Sequence, residues 1–163
     1  APNAGIDKSN ADGKWILFTQ KAKKDSIDEL YLLPLGGGET IRLTNTANFL
    51  EKPKNPTWLP DSSGVIYSSL VTLVVIDLQG QIVGQINLAG LNNVMGVFCD
   101  PQNSNAIFFK ARPAQEASLN VYLYRVSRKT GAWEIVRKSS FFEAGYNVSP
   151  GGNKLVYAKP NKK

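Results

Sequence analysis

The sequence predicts an all-β protein made of propeller blades, three four-stranded units plus a two-stranded half unit in an incomplete ring. Three observations carry this. An apolar residue followed by an aromatic recurs as Leu17-Phe18, Ile66-Tyr67, Ile107-Phe108 and Val156-Tyr157, at spacings of 49, 41 and 49 residues. Each pair follows a small-residue turn: Asp12-Gly13, Pro60 to Gly64, Asp100 to Asn105, and Ser149 to Asn153. Between the pairs lie short apolar runs with no sustained spacing of three and four residues, so strands are expected and helix is not. Repetition at roughly 40 to 50 residues, in strands alone, is the mark of propeller blades.

The first unit, about 1–44, opens weakly at Gly5-Ile6-Asp7. It turns at Asp12-Gly13, where Gly and Asp tolerate the backbone angles of a tight connection. Its second strand is Trp15 to Phe18, its third Leu30 to Leu35 and its fourth Thr40 to Leu43. Gly36-Gly37-Gly38 is a hairpin turn, because a phosphate loop needs a following helix and Glu39 to Leu43 alternates as a strand does. The second unit, about 56–87, has strands at Pro56 to Leu59, Ile66-Tyr67, Leu73 to Leu78 and Gln81 to Ile86. The third, about 93–137, has Val94 to Phe98, Ile107-Phe108, Val121 to Val126 and Trp133 to Val136. The half unit, 144–158, holds Ala144 to Val148 and the strand around Val156-Tyr157. Three and a half units fall short of the 4 to 8 blades of a closed propeller.

Composition narrows the chemistry. The 163 residues contain one cysteine, Cys99, and no histidine. That removes an internal disulfide, multi-cysteine metal sites, the usual general base and the Ser-His and Cys-His pairs. Cys99 beside Phe98 reads as a small packed residue. Asp12 and Asp61 belong to the repeated turn, where Asp bonds the backbone two residues on. Asp77 ends a strand before another turn. Asp25, Asp28 and Glu29 mix with Lys21, Lys23 and Lys24 in a solvated loop without a calcium-loop spacing. No catalytic, cofactor-binding or metal-binding residue is assigned. Asn147-Val148-Ser149 has the form of a glycosylation acceptor, a match frequent by chance.

The net charge is +6. Lys110, Arg112, Arg125, Arg128, Lys129, Arg137 and Lys138 crowd the third unit, and Lys159, Lys162 and Lys163 close the chain. Cations on outer strands and tips blunt sheet edges, the reading preferred over an acidic protein or anionic membrane partner and over nucleic acid. Tyr122 and Tyr124 alternate in a strand and so pack on one face. No apolar run approaches the roughly 18 residues of a membrane span.

The phrase Asp12-Gly13-Lys14-Trp15-Ile16-Leu17-Phe18-Thr19, with Glu29-Leu30-Tyr31-Leu32 and Gly37-Gly38-Glu39-Thr40-Ile41-Arg42-Leu43-Thr44, resembles the repeat of TolB-like (WD40-like) β-propellers. Pro56-Thr57-Trp58 with Pro60-Asp61, and Ser149-Pro150-Gly151-Gly152, repeat parts of it, and the turn at Asp100-Pro101 departs most. The resemblance implies a non-catalytic binding scaffold, extracytoplasmic (periplasmic or secreted), working through protein contacts without cofactors. An opening at Ala1-Pro2-Asn3 without an apolar leader fits a processed chain and equally a trimmed one.

The leading functional expectation is therefore a protein-interaction scaffold completed by a second copy, a partner or further sequence. Two copies would supply seven units if their halves were shared. The alternatives are a structural subunit of a larger complex and the propeller fragment of a prolyl-oligopeptidase-like serine peptidase, although no Gly-x-Ser-x-Gly elbow is present. Candidate partner-binding residues are the loop residues Lys21, Lys23, Lys24, Asp25, Arg112, Gln115 and Glu116, with Tyr146 and Tyr157 at the unfinished edge.

Overall fold

The computed structural model describes residues 5–21, 27–46, 51–116, 120–139 and 144–158. Fourteen strands follow one another in chain order: β1 Gly5–Ser9, β2 Trp15–Lys21, β3 Asp28–Pro34, β4 Ile41–Arg42, β5 Lys54–Trp58, β6 Gly64–Ser69, β7 Thr72–Asp77, β8 Ile82–Asn87, β9 Leu91–Asp100, β10 Asn103–Pro113, β11 Val121–Ser127, β12 Trp133–Ser139, β13 Ala144–Val148 and β14 Leu155–Ala158. They form three four-stranded meanders, β1 to β4, β5 to β8 and β9 to β12, and a two-stranded sheet, β13 and β14. All pairings are antiparallel. This is an incomplete propeller: no sheet closes on itself, and no α-helix occurs among the described residues.

Each sheet stacks on the next. Leu17, Leu30, Leu32 and Leu43 of the first meet Trp58, Val65, Tyr67, Val74 and Ile76 of the second. The opposite face of the second presents Leu59, Ile66, Leu73, Val75 and Ile86 to Val97, Ile107, Phe109, Tyr124 and Val126 of the third. A sheet covered on both faces needs apolar residues at successive positions, which is why β7 is buried from Leu73 through Ile76. First strands follow one another in space, β1 against β5, β5 against β9 and β9 against β13. Side-chain amides and indoles bind this inner row: Trp58 Nε1 donates to the Lys8 carbonyl at 3.0 Å, and Asn55 Nδ2 to the Val94 carbonyl at 3.3 Å.

The turn aspartates do structural work. Asp12 Oδ1 accepts the Lys14 amide at 3.1 Å, Asp61 Oδ1 the Ser63 amide at 3.0 Å, and Asp100 Oδ1 the Gln102 amide at 2.9 Å. Asp77 Oδ1 accepts both the Gln79 and Gln81 amides. These bonds, led by the Lys14 amide for Asp12 and the Ser63 hydroxyl for Asp61, hold both carboxyls below the usual aspartate range. Gly80 has φ +76°, and a Cβ there would sit 2.5 Å from the Leu43 carbonyl oxygen. Only glycine lets this turn of the second sheet lie against the end of β4.

Three expectations about strand length are corrected. The turn placed over Asp100 to Asn105 shrinks to Pro101 and Gln102, because β9 continues through Asp100 and β10 starts at Asn103. Both strands run long through register shifts, with Asn93 and Gly96 in left-handed backbone absorbing the extra residues. By contrast β4 contains two residues where Thr40 to Leu43 was expected. Side-chain bonds replace the rest of its ladder: the Leu30 amide donates to Thr44 Oγ1 at 3.0 Å, and Thr44 in turn donates to the buried Glu29 carboxylate.

Candidate functional site

The site that stands out is the open end, where a two-stranded sheet follows three of four strands. Its hairpin turn is built by the Ser149 amide donating to the Lys154 carbonyl at 2.8 Å and by Gly152 at φ +71°. Gln102 Nε2 donates to the Pro150 carbonyl at 2.7 Å, fastening this turn to that of the third sheet.

An aromatic row crosses the junction. Phe108 stacks on Phe98 with ring centroids 5.2 Å apart, Phe98 on Tyr146 at 6.3 Å, and Tyr146 on Tyr157 at 5.1 Å. Two cations lie on it: Lys110 Nζ is 5.4 Å from the centroid of Tyr146, and the Arg137 guanidinium carbon 4.4 Å from that of Tyr157. The Ser139 and Tyr146 hydroxyls are 2.7 Å apart. Leu123 and Val148 are buried beside the row, with Leu155 packed against them.

The cover stops halfway. At one end of β11 and β12 lies a cleft of about 350 Å³ lined from both faces of the sheet, by Arg125, Ser127 and Glu134 on the side of the half unit and by Val126 and Trp133 on the side of the second sheet. Arg125 and Glu134 meet across it at 3.4 Å and stay largely solvent-exposed. On the far side of β14, Val156 is 59% exposed. β14 pairs with β13 and has no second neighbour among the described residues.

A second cleft, about 570 Å³, lies between the first and second sheets at their outer strands, where the short β4 leaves β7 and β8 uncovered. Thr44, Thr46, Ser69, Thr72 and Gln85 give it a polar rim over Val74 and Ile76. Glu29 fixes one wall, accepting the Thr46 amide at 2.7 Å and an Arg42 nitrogen at 3.4 Å. Burial, with the Glu29 charge second, pushes the Tyr67 phenol up from its ordinary value.

The sequence-predicted residues are scattered. Lys21 ends β2, exposed and opposite Asp28. Lys23, Lys24 and Asp25 lie outside the described residues. Arg112 was expected in a loop but sits in β10 opposite Asn92, because that strand pairs on through Pro113. Gln115 and Glu116 are exposed after β10, and Glu116 accepts the Tyr122 hydroxyl at 3.2 Å. Tyr146 and Tyr157 do come together, facing the third sheet rather than the open side.

Part of the basic cluster is absorbed into the fold, while Arg125, Lys129 and Lys138 stay exposed. Lys110, expected on an exposed outer position, is 6% exposed because it alternates with Ala106 and Phe108 toward the half unit. Arg125 pairs with Glu134, and Arg137 covers Tyr157. Residues not singled out as site candidates at this end are Ser127 and Glu134; the alternation of β11 and β12 is the signal that puts them on the face of Arg125, opposite to Trp133. Cys99 is half-buried against the second–third core, and burial pushes its thiol up to about 12. Among the described residues no group of three or more His, Cys, Asp or Glu could hold a metal ion.

Four strands per sheet, inner strands in sequence order and an unfinished last sheet define the class as an open β-propeller arc. Solved structures define it further. TolB from Acinetobacter baumannii is similar with a TM-score of 0.73 at 22% identity, over 96% of this chain and 38% of that one. A chain of the nidogen/laminin complex gives 0.67 at 16% identity, over 94% and 55%. Oligogalacturonate lyase from Vibrio parahaemolyticus gives 0.62 at 16% identity, over 86% and 41%. The chain thus has the TolB-like propeller fold and spans 38% to 55% of the length of these matches. No protein-family model and no curated protein matches the sequence.

Proposed function

We propose that this chain is a non-catalytic protein-interaction scaffold of TolB-like blades, its ring completed by self-association, a partner or further sequence. The observation that carries the reading is that β14 pairs with β13 alone among the described residues, with exposed Val156 on its far face and the exposed Arg125–Glu134 pair on the third sheet. A strand paired on one side can accept another strand on its other side. The first sheet supports it from the other end. Its face away from the second carries Phe18 stacked on Tyr31 at 5.5 Å, with Leu33 37% exposed.

The likeness to TolB and to a nidogen/laminin chain supports a binding role and, for TolB, an extracytoplasmic, periplasmic setting. The likeness to a lyase is a reminder that one fold serves several chemistries. A structural subunit of a larger complex is the alternative that shares the open edge, and a peptidase fragment would draw its nucleophile from elsewhere. Sedimentation equilibrium of the native protein tests the reading. A particle heavier than the 17.8 kDa of this chain is expected, as an assembly or a longer polypeptide. A native 17.8 kDa monomer whose β14 edge amides are already protected from exchange overturns it.

A further inference from the structure

We infer that the outer rim of the third sheet docks on an anionic phospholipid bilayer, an apolar stripe entering the surface and lysines at its two ends meeting the headgroups. The inference goes beyond the scaffold reading and holds however the ring is completed. Three observations carry it.

The first is an apolar stripe on an outermost strand. On β12, Trp133 is 40% exposed, Ile135 54% and Val136 43%. The register sets Trp133 opposite Val126 and Ile135 opposite Tyr124, on the face toward the second sheet. Strands that complete the half unit stack on the other face, that of Leu123, and so leave Trp133 and Ile135 in the open.

The second is a pair of bulges. Ile135 and Arg137 stand opposite the consecutive residues Tyr124 and Leu123, which makes Val136 the extra residue of β12. In the adjoining second sheet Ile82 and Gly84 stand opposite Ile76 and Val75, which makes Val83 the extra residue of β8, 58% exposed. A bulge bends its strand and re-aims a side chain. Bulges and charges blunt an outer edge against further pairing, whereas exposed valine, isoleucine and tryptophan work against that protection. Edge protection alone therefore leaves the stripe unexplained, and an apolar layer outside the chain explains it.

The third is charge. Residues 121–139 hold five cations and one carboxylate, Glu134, which Arg125 already pairs. Glu116, just before β11, accepts the Tyr122 hydroxyl at 3.2 Å. Lys129 precedes the stripe and Lys138 follows it; both are exposed, and neither makes an ion pair among the described residues. Lys138 stands opposite Tyr122 and so shares the face of Trp133 and Ile135. The neighbouring β8, Ile82–Asn87, contains no charged residue. Tryptophan and aliphatic tips between lysines match a bilayer interface, with the indole at headgroup level and the ammonium groups against lipid phosphates. A second copy of this chain, itself at +6, brings like charge to the same place.

The test is flotation of the chain with phosphatidylcholine vesicles, either pure or containing about a third phosphatidylglycerol. Binding to the anionic vesicles is expected, with roughly tenfold less or weaker still to the neutral ones. Lys129→Gln combined with Lys138→Gln should weaken binding about 25-fold, at about fivefold per cation, while Lys8→Gln with Lys14→Gln, an equal loss of charge on the first sheet, should change it by less than about twofold. Brominated acyl chains should quench the emission of the native chain and spare that of Trp133→Phe, which keeps Trp15 and Trp58. No binding, equal binding to both vesicles, equal losses from the two lysine pairs, or quenching that survives Trp133→Phe each overturns the inference. All four leave ring completion standing, since sedimentation decides that separately.

Discussion

Replacing Tyr146 by leucine removes a ring that stacks on Phe98 and Tyr157 and carries Lys110 over its face. Each stacked pair contributes about 1 kcal/mol beyond its area, and a partly desolvated cation–π contact about 1 kcal/mol more. Leucine recovers some of the apolar area, leaving a loss of about 2.5 kcal/mol, which is roughly a 60-fold change in an opening equilibrium. The loss falls on the attachment of β13 and β14 to the third sheet, because Tyr146 joins Phe98, Lys110 and Ser139 of that sheet to Tyr157 of β14. Native-state amide exchange resolved by residue is the assay. Amides of β13 and β14 should exchange roughly 60-fold faster, while those of β6 and β7 stay unchanged. An equal acceleration in all sheets would show that the half unit does not open separately, and no acceleration at β13 would remove the aromatic row as its anchor. Lys110→Met in the same background should show a coupling of about 1 kcal/mol with Tyr146.

Glu29→Gln keeps the shape but turns an acceptor into a donor facing Thr44 and Thr46; a loss of about 3 kcal/mol in urea denaturation is expected, and a loss below about 1 kcal/mol would refute the assigned role. Gly80→Ala, which drives a Cβ to 2.5 Å from the Leu43 carbonyl, should cost at least about 2 kcal/mol by the same measurement, against about zero for Gly36→Ala, whose added methyl meets nothing within 4 Å. Cys99 has a raised thiol value in the fold, so its stabilising contribution is complete below the unfolded value of 9.0 and is lost as pH climbs toward about 12. Iodoacetamide at pH 8 should therefore alkylate native protein about two to three orders of magnitude more slowly than urea-unfolded protein, and comparable rates would contradict its burial.

The sequence revealed the phase of the strands better than their ends. Leu17-Phe18, Ile66-Tyr67, Ile107-Phe108 and Val156-Tyr157 all fall in second strands, since a sheet packed on both faces needs consecutive apolar residues there. Turn aspartates were legible because their local bonding depends on neighbours in the chain. What escaped was set by tertiary pairing. Asn92 opposite Arg112 extends β9 and β10 through residues with no strand preference, and β4 is cut short because Glu29 and Thr44 take over its bonds. Lys110 looked like a surface cation by type, yet period-two alternation with Phe108 puts it under Tyr146. The candidate site was legible only as an unfinished repeat. Its chemistry, Arg125 with Glu134 and the one-sided pairing of β14, depends on which strand faces which sheet.

The stacked sheets also set how the molecule comes apart. The second sheet is clamped on both faces, whereas the first and the half unit are each held on one, so opening proceeds by fraying inward from two ends. In such a series a ligand at one end stiffens its own sheet first, and the gain fades with each junction crossed. A ligand that bridges both ends acts differently, since it turns two frayed termini into one more junction and makes the strip melt as a loop.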